Sequence, residues 1–160
     1  MCPVFQVKYD CAKLGWRDEI LKALVDSGVG IVQMPCPEAS FGGFDEGLSR
    51  KPHGVRFYEQ LPGFSQHCKN LAAQTAGQIV ALENHGAHVK AILGIENSPT
   101  CAVNRIFTFG VGTEHRSGLF MGALKELLDD KELNIPLIGI TRHKKSQQKE
   151  INFLHLEIDP

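Results

Sequence analysis

Short apolar runs alternate with stretches of helical periodicity along this chain, and that alternation restricts the fold more than any other feature. Ile20, Leu21, Leu24 and Val25 recur at helical spacing, with Gly28 as a stop. Val29 to Met34 is a short apolar run of the buried-strand type, and it ends at Pro35-Cys36-Pro37. The stretch from Ala39 to Gly63, rich in glycine, proline and charge, reads as a long loop, and long loops in compact domains tend to be functional. A helix is expected from Phe64 to Asn84, with Leu71, Ala72, Thr75, Ala76, Ile79 and Val80 on its apolar face and Gly86 at its end. His88 to Ile95 is a second buried strand. Ser117 to Leu133 is a third helix, and Ile135 to Ile140 a third strand. Ile151 to Ile158 alternates as an edge strand does. Strand, helix, strand, helix, strand predicts a single α/β domain over residues 1–160: a mostly parallel sheet flanked by helices, in a Rossmann-like three-layer arrangement.

A chain of 160 residues suits one domain and buries about 68–70% of its unfolded surface, enough for a core without staples. Hydrophobic residues make up 42% and the net charge is −1, so no basic field marks nucleic acid as the main partner. The basic run Arg142-His143-Lys144-Lys145 is short and reads as a solvated loop. No apolar run approaches the roughly 18 residues of a membrane span. The first residues lack a signal peptide's charged start and apolar stretch. The sequence therefore predicts a cytoplasmic protein. In a reducing compartment five cysteines point to metal binding or catalysis more than to disulfides.

In a parallel sheet, ligands bind beyond the carboxyl ends of the strands. Cys36 lies just past one predicted strand, in Pro35-Cys36-Pro37-Glu38. Cys101 lies just past the next, in Ser98-Pro99-Thr100-Cys101. If those strands are neighbours, both thiols face one crevice. The flanking prolines fix φ and prevent strand or helix from continuing, which stiffens both turns. Cys2, followed by Pro3, is a third cysteine in similar company, and Cys11 is the alternative to it as a ligand. Cys68 sits on the apolar side of the long helix and reads as core. Three thiolates without a fourth ligand suit a metal ion with an open position, or an iron–sulfur cluster with one iron free of protein. The chain has no C-x-x-C pair, and none of its seven histidines stands at zinc-site spacing from a cysteine.

Other motifs are weaker. Gly110-Val111-Gly112 has His115 where a third glycine would complete a dinucleotide fingerprint. Gly42-Gly43 would let backbone approach a ligand closely. Glu38, two residues after Cys36, is placed to act as general acid or base. Ser98 is placed to hydrogen-bond a ligand or to shape its turn. His115-Arg116 precedes a predicted helix start.

Pro35-Cys36-Pro37-Glu38 with Gly42-Gly43, and Ile92-Leu93-Gly94 leading into Ser98-Pro99-Thr100-Cys101, resemble the thiouracil desulfidase family. The run Gly28 to Met34 and the segments Gly118 to Met121, Leu124 to Leu127 and Ile135 to Ile140 resemble a subgroup of desulfidases related to that enzyme, so the likeness runs over most of the chain. The resemblance implies a 4Fe-4S cluster held by Cys2, Cys36 and Cys101, with Glu38 and Ser98 acting at the substrate. It also implies non-redox, hydrolytic removal of sulfur from a small thiocarbonyl compound such as a thiolated pyrimidine. A non-catalytic module that binds a metal, a cluster or sulfide would keep the cysteines without depending on Glu38. A cluster-free protein with a nucleophilic Cys36 is the third expectation.

Overall fold

The computed structural model describes residues 17–42, 54–108 and 110–141. Cys2, Cys11, Gly43, the basic run at 142–145 and the predicted edge strand at 151–158 lie outside the described residues.

The first helix, α1 (Arg17–Asp26), forms because Ile20, Ala23 and Leu24 recur on one side and are buried there. Val25 is 65% exposed, so the buried face includes Ala23 and not Val25. Gly28, at φ 69°, ends the helix in the left-handed conformation that a Cβ disfavours. Two six-residue helices follow, α2 (Pro37–Gly42) and α3 (Val55–Gln60). The second, and the first from Ala39 on, fall within the stretch expected to be a loop. Helices this short are not stable alone. Burial of Ala39 on α2, and of Val55 and Tyr58 on α3, ties them to the rest of the fold.

The long helix α4 (Phe64–Asn84) has the predicted bounds. Phe64, Cys68, Leu71, Ala72, Thr75, Ala76 and Ile79 form its buried face. Gly86, at φ 79°, lets the chain turn back so that the Ala87 amide donates to the Leu82 carbonyl at 3.0 Å. Cys68 is a core residue, only 1% exposed. The helix α5 (Leu119–Asp129) buries Phe120, Met121, Leu124 and Leu128, and these join the α4 residues in one apolar cluster.

The strand β1 (Ile92–Ile95) pairs in parallel with β4 (Leu137–Ile140), with Ile92 opposite Leu137 and Gly94 opposite Gly139. Ile92 and Leu137 join the α4–α5 cluster, whereas Leu93 and Ile138 pack with Ile20 and Leu24 of α1. Alternation along the strands therefore sends side chains to helices on opposite faces. Between them in sequence, β2 (Ile106–Thr108) and β3 (Gly112–Glu114) form an antiparallel pair. Gly110 (φ 81°) and Gly112 (φ 98°) take the positive φ that its turn needs. The glycine pair that faintly suggested a dinucleotide motif is thus a hairpin turn.

Among the described residues the parallel sheet has two strands, not the three or more expected. Residues 29–34 run without strand structure, and Ile31 and Val32 are 50% and 66% exposed. They and residues 87–93 line one open cavity of about 520 Å³, walled by Leu21, Leu24, Ile79 and Leu82. No helix among the described residues is long and apolar enough to cross a membrane.

Candidate functional site

The turn that carries Cys101 is held from three sides. The Ile95 amide donates to the Cys101 carbonyl at 3.0 Å, and the hydroxyl oxygen of Ser98 accepts the Cys101 amide at 3.1 Å. Asn97 takes a left-handed φ of 64°, which asparagine tolerates better than most residues. The opening amides of α5 then dock onto the same turn. Leu119 donates to the Pro99 carbonyl (3.0 Å), and Phe120 and Met121 both donate to Thr100 (3.0 and 3.1 Å). Helix amides that would otherwise lack partners are satisfied by the loop that presents the cysteine. Gly118 makes the approach possible, because a β-carbon there would collide with the Thr100 carbonyl.

On the far side of the same turn lies Glu96, only 4% exposed. Its carboxylate accepts Asn104 Nδ2 at 2.9 Å, the Asn104 amide at 3.2 Å and the Arg105 amide at 3.0 Å. Its side chain occupies the space above Gly139 that any β-carbon would fill. A buried carboxylate is tolerable only with such partners.

Cys36 stands at the start of α2, where its carbonyl accepts the Ser40 amide at 2.9 Å. Pro37 takes the first helical position, which costs no hydrogen bond. Glu38 follows, half-buried, and its carboxylate reaches the Cys101 turn. Thr100 Oγ1 donates to Glu38 Oε1 at 3.2 Å, and the Tyr58 hydroxyl donates to Oε2 at 3.1 Å. Thr100 Oγ1 also lies 3.4 Å from Cys101 Sγ. The segment bearing Cys36 and Glu38 and the turn bearing Ser98 and Cys101 thus meet, although residues 29–34 before the first do not form the strand expected there.

Burial pushes the Cys101 thiol up to about 11; the Thr100 hydroxyl opposes the shift, and the nearby charges of Cys36 and Glu38 add to it. Burial also pushes Cys68 up to about 12, with Cys101 and Glu38 contributing. The core thiol Cys68 therefore borders the same site. At neutral pH both thiols keep their protons, so neither is a spontaneous nucleophile.

Sequence reasoning missed Tyr58, Thr100 and His67. Thr100 stands beside Cys101 in its turn but nothing local marks its bond to Glu38, and Tyr58 and His67 lie on α3 and α4, far from both turns in the chain. His67 Nε2 lies 2.8 Å from Ser40 Oγ, and that hydroxyl donates to the Cys36 carbonyl at 2.8 Å. A hydroxyl has one hydrogen, so the pairing requires the His67 Nε2–H to donate to Ser40. Phe41, 37% exposed, stands edge-on to Phe64 (5.2 Å, 81°) and beside His67 (5.3 Å). Through Ser40, which also holds the Cys36 carbonyl, α2 is tied to this aromatic group on α4.

Two of the three thiols implied for a cluster, Cys36 and Cys101, come together here, and both sit on stiff turns. Their chemistry fits soft metal ions and iron–sulfur clusters. Among the described residues no three histidine, cysteine or acidic side chains converge on a metal-sized site. A third ligand would come from outside them, where Cys2 and Cys11 both lie.

No family model matches the chain, and no solved structure matches it. Over 90 residues it is 29% identical to the uncharacterized protein MJ0003 of Methanocaldococcus jannaschii, a stretch that covers 56% of this chain and 53% of that protein. The chain thus spans about half the length of the curated relative it matches.

Proposed function

We propose that this chain is a 4Fe-4S-dependent desulfidase that hydrolyses a small thiocarbonyl compound, such as a thiolated pyrimidine, to the carbonyl compound and hydrogen sulfide. The observation that carries the reading is the meeting of Cys36, Glu38 and Cys101. Two thiols able to hold iron stand beside a carboxylate able to handle protons, at the end of a parallel strand. The resemblance to thiouracil desulfidases rests on the same residues. The Rossmann-like three-layer arrangement and a cytoplasmic setting, where free thiols persist, belong to this proposal.

Cys36 and Cys101 would hold the cluster, with Cys2 as third ligand and Cys11 as its alternative. When bound, the cluster supplies an iron without a protein ligand, a Lewis acid toward sulfur. Glu38 takes a proton from water as the water oxygen adds to the thiocarbonyl carbon. The carbon–sulfur bond then breaks. The two hydrogens of water end on sulfur, which leaves as hydrogen sulfide, and no atom changes oxidation state overall. Ser98, whose hydroxyl oxygen accepts the Cys101 amide and so shapes the turn, would orient the substrate from there.

Iron and acid-labile sulfide content, with a visible spectrum, on protein reconstituted without oxygen tests the cofactor. Sulfide release from thiolated pyrimidines tests the reaction. A brown protein with about four irons per chain that releases sulfide supports the proposal. Bound iron without sulfide release favours the non-catalytic sulfur-handling module. A folded, colourless protein that takes up no iron removes the desulfidase reading.

A further inference from the structure

Tyr58 belongs to the aromatic core and is 1% exposed. Its ring packs on Phe64 (centroids 4.8 Å apart) and meets Phe57 edge-on (5.4 Å, 84°). Apolar packing of that kind needs only a phenyl group. A buried hydroxyl is costly unless it has a partner. Here the hydroxyl donates to Glu38 Oε2 at 3.1 Å, while Thr100, also 1% exposed, donates to Oε1 at 3.2 Å. Each carboxylate oxygen therefore receives a hydrogen from a buried hydroxyl. One comes from α3, the other from the turn that carries Cys101. Glu38 itself has three rotatable side-chain bonds and rides on a helix of only six residues. Two donors anchored in the core oppose that freedom.

We propose that Tyr58 is a positioning residue, which together with Thr100 clamps the Glu38 carboxylate beside Cys101. The clamp rests on the desulfidase reading only in what it is for; the contact itself is independent of it. Tyr58 is the cleaner residue to probe, because Thr100 also approaches the sulfur of Cys101.

The test uses the full chain in two states. In anaerobically reconstituted protein with 2-thiouracil as probe, Tyr58→Phe is expected to retain its iron and its KM. Its kcat is expected to fall roughly ten- to a hundredfold, the scale of a misdirected catalytic group. In a Glu38→Ala background the same change is expected to cost nothing more, because one residue acts through the other. Full kcat in Tyr58→Phe, or independent multiplication of the two losses, overturns the clamp. In metal-free protein, the melting shifts of Tyr58→Phe, Glu38→Ala and the double variant are expected to be non-additive. Additive shifts overturn the clamp whatever the activity shows. Coupled shifts in a protein that never releases sulfide uphold the clamp and remove the desulfidase reading.

Discussion

The carbonyl of Cys101 occupies the space that a β-carbon on Gly94 would need, so the cysteine turn folds back directly over its own strand. Val103 Cγ2 and Met121 Cε would stand 2.7 and 2.9 Å from that same β-carbon. The Cys101 backbone and the branched Val103 side chain cannot move aside, and only the Met121 methyl, at the end of a flexible side chain, can give way. Gly94→Ala is therefore expected to destabilise the fold by about 1–3 kcal/mol, the usual cost of overpacking a core. It should also displace Cys101 and weaken iron retention. Denaturant melts and iron assays on the same samples check both effects, and an unchanged melt would contradict the close approach.

Glu96 ties the far end of the turn. It accepts the Asn104 and Arg105 amides at 3.2 and 3.0 Å in a buried setting. Glu96→Ala leaves those donors without their acceptor, which costs about 1–3 kcal/mol on the general scale for buried polar groups. Glu96→Gln keeps one carbonyl acceptor and is expected to lose less. Chemical denaturation of the three proteins gives the order wild type, Gln, Ala; an alanine variant as stable as wild type would show that the Glu96 hydrogen bonds carry no weight.

The parts of the fold legible in the sequence were those written in local periodicity. The helix α4 is legible from end to end, because Leu71, Ala72, Thr75, Ala76 and Ile79 keep one face apolar and Gly86 closes it. The helices α2 and α3 are not, because six residues hold too little pattern to outweigh the surrounding glycine, proline and charge. Only burial of Ala39, Val55 and Tyr58 makes them helices. The strand β2 is hidden for the same reason, being three residues long. Residues 29–34 carry the composition of a buried strand, yet Ile31 and Val32 face outward. The site divides likewise. Cys36, Glu38, Ser98 and Cys101 are conspicuous because prolines frame their turns. Tyr58 and His67 reach the site only through tertiary packing, which leaves no trace in spacing, and packing likewise brings Thr100, beside Cys101 in the chain, to Glu38.

The buried thiols set a pH dependence. Cys101 and Cys68 have an ordinary value of 9.0 and are raised to about 11 and about 12 in the fold. Between those values the folded protein keeps protons that the unfolded chain has released. Stability of the metal-free protein is therefore expected to be unaffected by these groups below pH 9 and to fall as pH rises from about 9 toward 12. Denaturant midpoints measured across that window in wild type and Cys68→Ala separate the thiol contribution from lysine and tyrosine titration. The variant should show the shallower slope, and parallel curves would exclude Cys68 as a source.

Cys36 and Cys101 are the described thiols implied to hold the cluster, and this sets the outcome of substituting them. Cys36→Ser and Cys101→Ser each remove a soft thiolate and put a hard hydroxyl in its place, so each is expected to abolish iron loading. Cys68→Ala should load normally, since its thiol belongs to the α4–α5 cluster and its loss is a packing defect. Glu38→Ala removes no thiol. Its iron content and visible spectrum should match wild type, while sulfide release falls by roughly the 10²–10⁴-fold typical of a lost general acid–base group. The four variants, compared by iron analysis and sulfide release, separate holding the cluster from using it. A Glu38→Ala protein with wild-type turnover would contradict the proton-handling role and leave the cysteines as a binding site alone.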